Sequence, residues 1–209
     1  MVKKNIMKKI LHIISSPRGD ASYSIKLGRS IIDKITAAHP GSTVKENILA
    51  NKQYPHLEEA QITSFFTPPE NRTLQNLEAL QHSDEAIQEI MEADILVIGA
   101  PMYNLSIPST LKAWIDHVVR AGITFKYDEN GPKGLVKGKK AYLAVATGGI
   151  YSEGPMKSYD FATPYLQSVL NFIGISDIEI IRAEGTSIPQ TKDLAIETAV
   201  SRMALPMVA

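Results

Sequence analysis

The chain has no cysteine, no net charge and no long apolar run, and each absence removes a class of function. Without cysteine there is no disulfide framework, no thiolate nucleophile and no zinc site built on sulfur. The five histidines lie scattered without the short spacings of metal sites, so no metal centre is expected. The 22 lysines and arginines balance 22 aspartates and glutamates, which leaves no excess field to hold nucleic acid, an anionic membrane or a strongly charged partner. A small, nearly neutral ligand suits that balance better. No stretch approaches the roughly 20 apolar residues that cross a bilayer. The basic-then-apolar start "MVKKNIMKKILHI" is interrupted by Ser15 to Arg18 without a small-residue cleavage site, so it reads as a strand and not as a signal peptide. The expectation is a soluble, cytoplasmic protein. Two nucleotide motifs are missing as well: the glycine-rich triphosphate loop ending in Lys and Ser or Thr, and G-x-G-x-x-G after the first strand.

What is present is an alternation. At 209 residues the chain can bury one substantial core, and no repeat, low-complexity tract or linker divides it, so residues 1–209 read as one domain. Met1 to Met7 reads as a loose N-terminal extension, with Met7 an alternative start. Ile10 to Ile14, Ile95 to Ala100 and Ala141 to Ala146 are apolar runs of strand length that end in turn-forming or polar residues. Thr43 to Ile48 alternates like an outer strand, and Ile178 to Ala183 reads as a final one. Helical spacing links Leu27, Ile31, Ile32 and Ile35, then Leu111, Trp114, Ile115 and Val118, then Leu166, Val169, Leu170 and Ile173 ahead of Gly174, a natural C-terminal cap. Continuous apolar strands between helices predict an α/β, flavodoxin-like three-layer sandwich: a five-stranded parallel sheet of order 2-1-3-4-5 with helices on both faces. The segment Tyr54 to Glu92 carries Pro55, Pro68 and Pro69 and lacks a sustained period before a polar helix from about Asn76 to Met91, so it reads as an excursion beside the ligand site. Tyr127 to Lys140 reads as a hairpin with turns at Asn130-Gly131 and Gly138 and with solvated lysines. His12 and His117, within a strand and a helix, read as structural.

In an open parallel sheet, ligands bind outside the carboxyl ends of the strands. The loops there are "SSPRGDASYS", "PMYNLSIP" and "TGGIYSEGP". Ser22 and Ser24 fall where the first helix begins, so their hydroxyls can cap its free N–H groups or, with those groups, bind an anion. A plain cap would explain one serine. Four serines with Arg18 at the switch point favour the anion, and a monophosphate such as that of FMN fits best. Tyr103 offers a flat amphipathic ring and Asn104 a donor and an acceptor for a heterocycle, although an ordinary strand-to-helix turn explains them equally well. Gly148 and Gly149 permit close backbone approach, and a tight turn alone also accounts for a glycine pair. No serine, histidine and acid are spaced as a nucleophilic triad, which suits chemistry borrowed from a cofactor.

The three loops resemble those of the FMN-dependent NADH:quinone oxidoreductases, also known as azoreductases, a family with a flavodoxin-like fold. The resemblance runs from "KKILHIISSPR" through "GAPMYNLSIPSTLKAWIDHVVRAGITFKYDENGPKGLVKGKKAYLAVATGGIY" to "YLQSVLNFIGISDIEIIRAEG". It implies that Ser16 and Ser22-Tyr23-Ser24 hold the FMN phosphate. It likewise implies that Met102-Tyr103-Asn104-Leu105 flank the isoalloxazine and that Ala146-Thr147-Gly148-Gly149 bind its polar edge. Some relatives read Ser-Arg-Gly-Gly in the last loop, so here the backbone N–H groups carry the expectation. The family implies a homodimer with active sites at the interface, where Phe125, Tyr127 and Phe172 are candidates for an aromatic wall contributed by the partner chain. Tyr151 is a candidate on the substrate side, and with water it is a candidate proton source; no side chain is assigned as catalytic. The implied mechanism is ping-pong: NADH or NADPH reduces FMN and leaves, then a quinone or azo compound takes two electrons. The alternatives are a flavodoxin-like electron carrier, an FMN reductase that releases reduced flavin, and a protein whose pocket has lost its ligand. Carriers usually guide docking with a strongly acidic surface, and this chain has no net charge, which ranks the carrier below the enzyme. Tight retention of FMN through turnover would argue against the second, and failure to bind FMN would support the third.

Overall fold

The computed structural model describes residues 7–52 and 54–203. In chain order it begins with β1 (Lys9–Ile14), α1 (Tyr23–Ala38), β2 (Thr43–Ile48), α2 (Leu49–Lys52), α3 (Glu59–Phe66) and α4 (Leu74–Glu92). It continues with β3 (Ile95–Pro101), α5 (Ser109–Val118), β4 (Phe125–Asp128), β5 (Gly131–Gly134), β6 (Lys140–Ala146), α6 (Ala162–Ile173), β7 (Asp177–Ala183) and α7 (Ala195–Ser201). The main sheet has the order β2-β1-β3-β6-β7 with every neighbour parallel. Because β4 and β5 form a separate antiparallel pair, this is the expected 2-1-3-4-5 order in main-sheet numbering.

The apolar runs occupy β1, β3 and β6 because a strand covered on both faces has no polar side to offer water. On one face, Leu27, Ile31 and Ile35 of α1 pack with Ile10, Val97 and Tyr142, joined by Ala195 and Ala199 of α7. On the other, Ile90, Leu111, Trp114, Leu166 and Leu170 from α4, α5 and α6 cover Leu11, Ile13, Leu96, Ile98 and Leu143. Each fully buried Leu or Ile contributes roughly 1.5–3 kcal/mol. The helix ends follow the chemistry of their caps. Thr73 Oγ1 accepts the Asn76 N–H at 3.3 Å while Asn76 Oδ1 accepts the Thr73 N–H at 2.9 Å, starting α4. Gly174, at φ 107°, ends α6 in the left-handed conformation.

Several expectations change in detail. The excursion from Tyr54 contains α3, which packs on α4, and none of its residues lines the cleft described below. Arg120 lies over the Phe65 ring and pairs with Asp84, tying this segment to the end of α5. The hairpin begins at Phe125, two residues early, with Gly131 at φ 105° in its turn. Met1–Ile6 of the expected loose extension lies outside the described residues; Met7 is exposed. His12 and His117 are buried, and burial pushes both below the usual imidazole range. Glu46, 3.5 Å from His12 Nδ1, opposes that shift. His117 Nε2–H donates to the Pro55 carbonyl at 2.9 Å. Among the described residues no helix is long and apolar enough to cross a membrane.

Candidate functional site

At the carboxyl end of β1 the chain turns into its serine cluster, and the four hydroxyls have different tasks. Ser15 Oγ donates to the Gly99 carbonyl at 2.6 Å, and the Ser15 carbonyl accepts from Thr110 Oγ1 at 3.2 Å. Ser15 therefore ties the first loop to β3 and α5. Ser16 Oγ accepts the Arg18 N–H at 3.3 Å, leaving its own hydrogen without an acceptor among the described residues. Ser22 and Ser24, 2% and 1% exposed, share a hydrogen bond of 3.0 Å, and Ser22 Oγ also accepts the Ile25 N–H at 3.4 Å. The pair carries two hydroxyl hydrogens, and only one joins the two oxygens. The second has no acceptor among the described residues, nor do the N–H groups of Tyr23 and Ser24 in the first turn of α1. Buried donors without acceptors are costly, and at the start of a 16-residue helix they suit an anion. Exposed Arg18 adds positive charge at the same end.

The second loop is a tight turn. The Tyr103 N–H donates to the Ser106 carbonyl at 2.9 Å and the Ser106 N–H to the Tyr103 carbonyl at 3.1 Å. The central residues Asn104 and Leu105 have φ of 48° and 70°, as in mirror-image hairpin turns. Asparagine tolerates that conformation, whereas for leucine it costs about 1–2 kcal/mol. The turn is held from outside: the Met102 N–H donates to the Ala146 carbonyl at 2.9 Å, and the Phe161 N–H to the Leu105 carbonyl at 3.2 Å. Met102, Tyr103 and Leu105 are half-buried and Asn104 is exposed.

The third loop follows β6. Ala146 and Thr147 are buried, the Thr147 N–H is taken by the Ala183 carbonyl at 3.0 Å, and Thr147 Oγ1 donates to the Gly149 carbonyl at 2.8 Å. The carbonyls of Thr147, Gly148 and Gly149 accept the N–H groups of Thr186, Ser187 and Gly185 at 3.1, 3.1 and 3.0 Å. Thr147 therefore has no N–H to offer a ligand. Those of Gly148 and Gly149 remain, without acceptors among the described residues. A Cβ on Gly148 would stand 2.9 Å from Ser187 Oγ, so a side chain there would push the supporting loop away.

Two carboxylates, not anticipated from sequence, brace this end of the sheet. Glu184 accepts the N–H groups of Tyr151 and Ser152 at 2.7 and 2.9 Å and also the Ser152 hydroxyl. Asp160 accepts the Thr163 N–H at 2.9 Å and pairs with Arg182 at 2.7 Å. Burial works to raise the Asp160 carboxyl, but these partners outweigh it and hold it below the usual carboxylate range. The only sequence trace of either was the "RAEG" that closes the last strand.

A cleft of about 760 Å³ opens beside the second loop, lined by Ser15, Pro17, Tyr103, Asn104, Ser109 and Tyr165 among others. Its wall does not include Ser16, Ser22, Ser24, Gly148 or Gly149. Tyr151 lies at this same end, its ring against Gly149. Phe125, Tyr127 and Phe172 do not. The Phe125 ring lies tilted 4.5 Å from Phe172 and edge-on 5.7 Å from Tyr127, beside the end of α6 and the start of β7, at the amino end of the sheet. Within one chain they cannot line the cleft.

Residues 8–205 match the model of a family described as having a flavodoxin-like fold. The FMN-dependent NADH:quinone oxidoreductase of Herminiimonas arsenicoxydans is 48% identical over 181 residues, which cover 87% of this chain and 89% of that one. The azoreductase of Bacillus anthracis strain Sterne superposes with a TM-score of 0.86 at 33% identity, over 93% of this chain and 96% of the other. An FMN-dependent NADH-azoreductase of Bacillus anthracis Ames Ancestor, solved in complex with FMN, gives a TM-score of 0.81 at 27% identity over 92% and 96%. The chain therefore belongs to the flavodoxin-like family that contains these quinone oxidoreductases and azoreductases.

Proposed function

We propose that the protein is an FMN-dependent NADH:quinone oxidoreductase that also reductively cleaves aromatic azo compounds. The observation that carries this reading is the set of donors left without acceptors at the carboxyl end of the sheet: the Ser16 hydroxyl, one hydrogen of the Ser22–Ser24 pair, and the N–H groups of Tyr23 and Ser24. They suit the phosphate of FMN, with the dipole of α1 adding to the attraction. The Met102–Leu105 turn would lie against the ring system, and the Gly148 and Gly149 N–H groups would meet its polar edge. Bound there, FMN supplies the two-electron chemistry between NADH and a quinone or azo acceptor. The protein binds and orients, and the two glycine N–H groups stabilise negative charge at that edge.

The protein acts as a homodimer in this reading, each site completed by Phe125, Tyr127 and Phe172 of the partner subunit. Tyr127 is 69% exposed and lies far from its own chain's cleft, while Ile150, Met156 and Phe161 expose apolar surface around the site loops. The reading places the protein in the cytoplasm, one compartment in which NADH is available.

The test is spectroscopic. The protein is loaded with FMN and freed of oxygen, NADH is added while the flavin absorbance is followed, and a quinone or azo dye is then added to the same cuvette. Bleaching followed by recovery, with FMN retained, is the expected result. Binding without bleaching would identify an electron carrier, and failure to bind FMN would overturn the reading.

A further inference from the structure

The loop after β6 contains two consecutive glycines, which have little conformational preference of their own, yet its carbonyls from Thr147 to Gly149 are all committed. From below, the N–H groups of Gly185, Thr186 and Ser187 take the carbonyls of Gly149, Thr147 and Gly148. From the far side, the Glu184 carboxylate gathers the N–H groups of Tyr151 and Ser152 together with the Ser152 hydroxyl. Such charge-assisted bonds are roughly twice as strong as neutral ones. The Tyr151 ring in turn lies against Gly149, its Cε2 3.3 Å from where a Cβ on that glycine would stand.

We propose that Glu184 is a positioning residue for the cofactor: by fixing Tyr151 and Ser152 it fixes the direction in which the Gly148 and Gly149 N–H groups point. This rests on the FMN reading above. Glu184 accepts no hydrogen bond from either glycine and acts through the loop. Arg182, two residues earlier and on β7, extends the arrangement. Its guanidinium lies 4.0 Å from Glu184 and 2.7 Å from Asp160, which accepts the Thr163 N–H at the start of α6. The exposed stretch Ser152–Tyr159 is thus fastened at both ends, to Glu184 just past β7 and to Arg182 on it.

The test compares wild type with Glu184→Ala, Glu184→Gln and Ser152→Ala, each stripped of FMN and titrated with it. Glu184→Ala is expected to weaken FMN binding about tenfold and to move the flavin midpoint potential to more negative values, because reduced flavin loses its aligned donors. Glu184→Gln, whose side-chain oxygen still accepts both N–H groups, restores most of the affinity, and Ser152→Ala stays within about twofold of wild type. Amide hydrogen exchange over residues 147–152 in the FMN-free proteins gives a second readout, expected to speed up in Glu184→Ala. Wild-type affinity and potential in Glu184→Ala would overturn the proposal, as would unchanged exchange over the loop. Failure of the wild type to bind FMN would instead overturn the underlying reading, and the exchange comparison would still decide whether Glu184 fixes the loop.

Discussion

The two ends of the sheet each carry a cleft, of about 760 Å³ at the carboxyl end and about 580 Å³ at the amino end, and they differ in how fully the polar groups around them are paired. The amino-end cleft is lined by Lys8, Lys137, Lys139 and Lys140 against Asp94 and Asp177, and by charge alone it resembles an anion site. Two of its lysines have structural work. Lys139 donates to the Met91 and Ala93 carbonyls at 2.8 and 2.6 Å, and Lys140 lies 3.3 Å from Glu179 and 3.6 Å from Asp177. Helices α1, α4 and α6 all end here, and the cations offset the negative ends of their dipoles. At the carboxyl end the imbalance is reversed: serine hydroxyls and N–H groups outnumber the acceptors around them. Unsatisfied donors are therefore a better sign of a missing ligand than the presence of lysine.

The contrast is tested most severely at Gly174, in the amino-end cleft. A Cβ there would stand 2.8 Å from the Val136 carbonyl oxygen, and φ is already 107°. Gly174→Ala should lower stability by about 2–4 kcal/mol through crowding and left-handed strain, as measured by urea unfolding. FMN affinity of the folded protein should change far less than stability, and a comparable loss of affinity would mean that the amino end contributes to binding, as the homodimer reading allows through Phe172 of the partner subunit. Next in size is Ser22→Ala combined with Ser24→Ala, which removes the one hydroxyl hydrogen of the pair left free to bond a charged phosphate, worth roughly 1.5–3 kcal/mol. FMN affinity, followed by fluorescence titration, should fall about a hundredfold, while Lys137→Ala at the other end should change it less than about twofold. Equal effects from the two ends would abolish the distinction drawn between them.

How much of this was legible in the sequence depends on whether the deciding force was local. Thr43–Ile48 was read to the residue, and β3, β6 and β7 were each short by one residue, because Pro101, Lys140 and Asp177 extend the ladders past the apolar runs. Helices α3 and α7 escaped the periodicity. Ile62 and Phe66 of α3 are exposed, and α7 buries only Ala195 and Ala199, so neither shows a broad apolar stripe. The place of the three loops, at the carboxyl end of the sheet after β1, β3 and β6, was legible because strand order dictates it. The conformation of Leu105 and the reach of Glu184 were not, since each depends on partners distant in sequence: Phe161 for the one, Tyr151 and Ser152 for the other. Spacing also could not reveal that Phe125, Tyr127 and Phe172 lie at the opposite end of the sheet from Tyr103.

Tyr103 sharpens the comparison within the carboxyl end itself. Its ring lines the cleft and is only half-buried, so Tyr103→Ala should reduce kcat/KM for a quinone more than it reduces melting temperature. A variant that mainly melts earlier would show that the ring supports the turn and not the ligand.

The smallest effect expected is one of pH, and it too should differ between the ends. Asp160 near the carboxyl end is held below its ordinary value of 3.8 by Thr163 and Arg182 despite its burial. Because its folded pKa lies below the unfolded one, its contribution is complete above the ordinary carboxylate range and is lost as pH falls through the folded value. Asp160→Asn keeps an oxygen for the Thr163 N–H but gives up the charge opposite Arg182. Stability measured from neutral pH down to about pH 3 should therefore fall less steeply in the variant, by on the order of 1 kcal/mol. Parallel acid profiles would mean that the Asp160–Arg182 pair contributes nothing to fastening the 152–160 segment, leaving Glu184, just past the end of β7, as its electrostatic anchor.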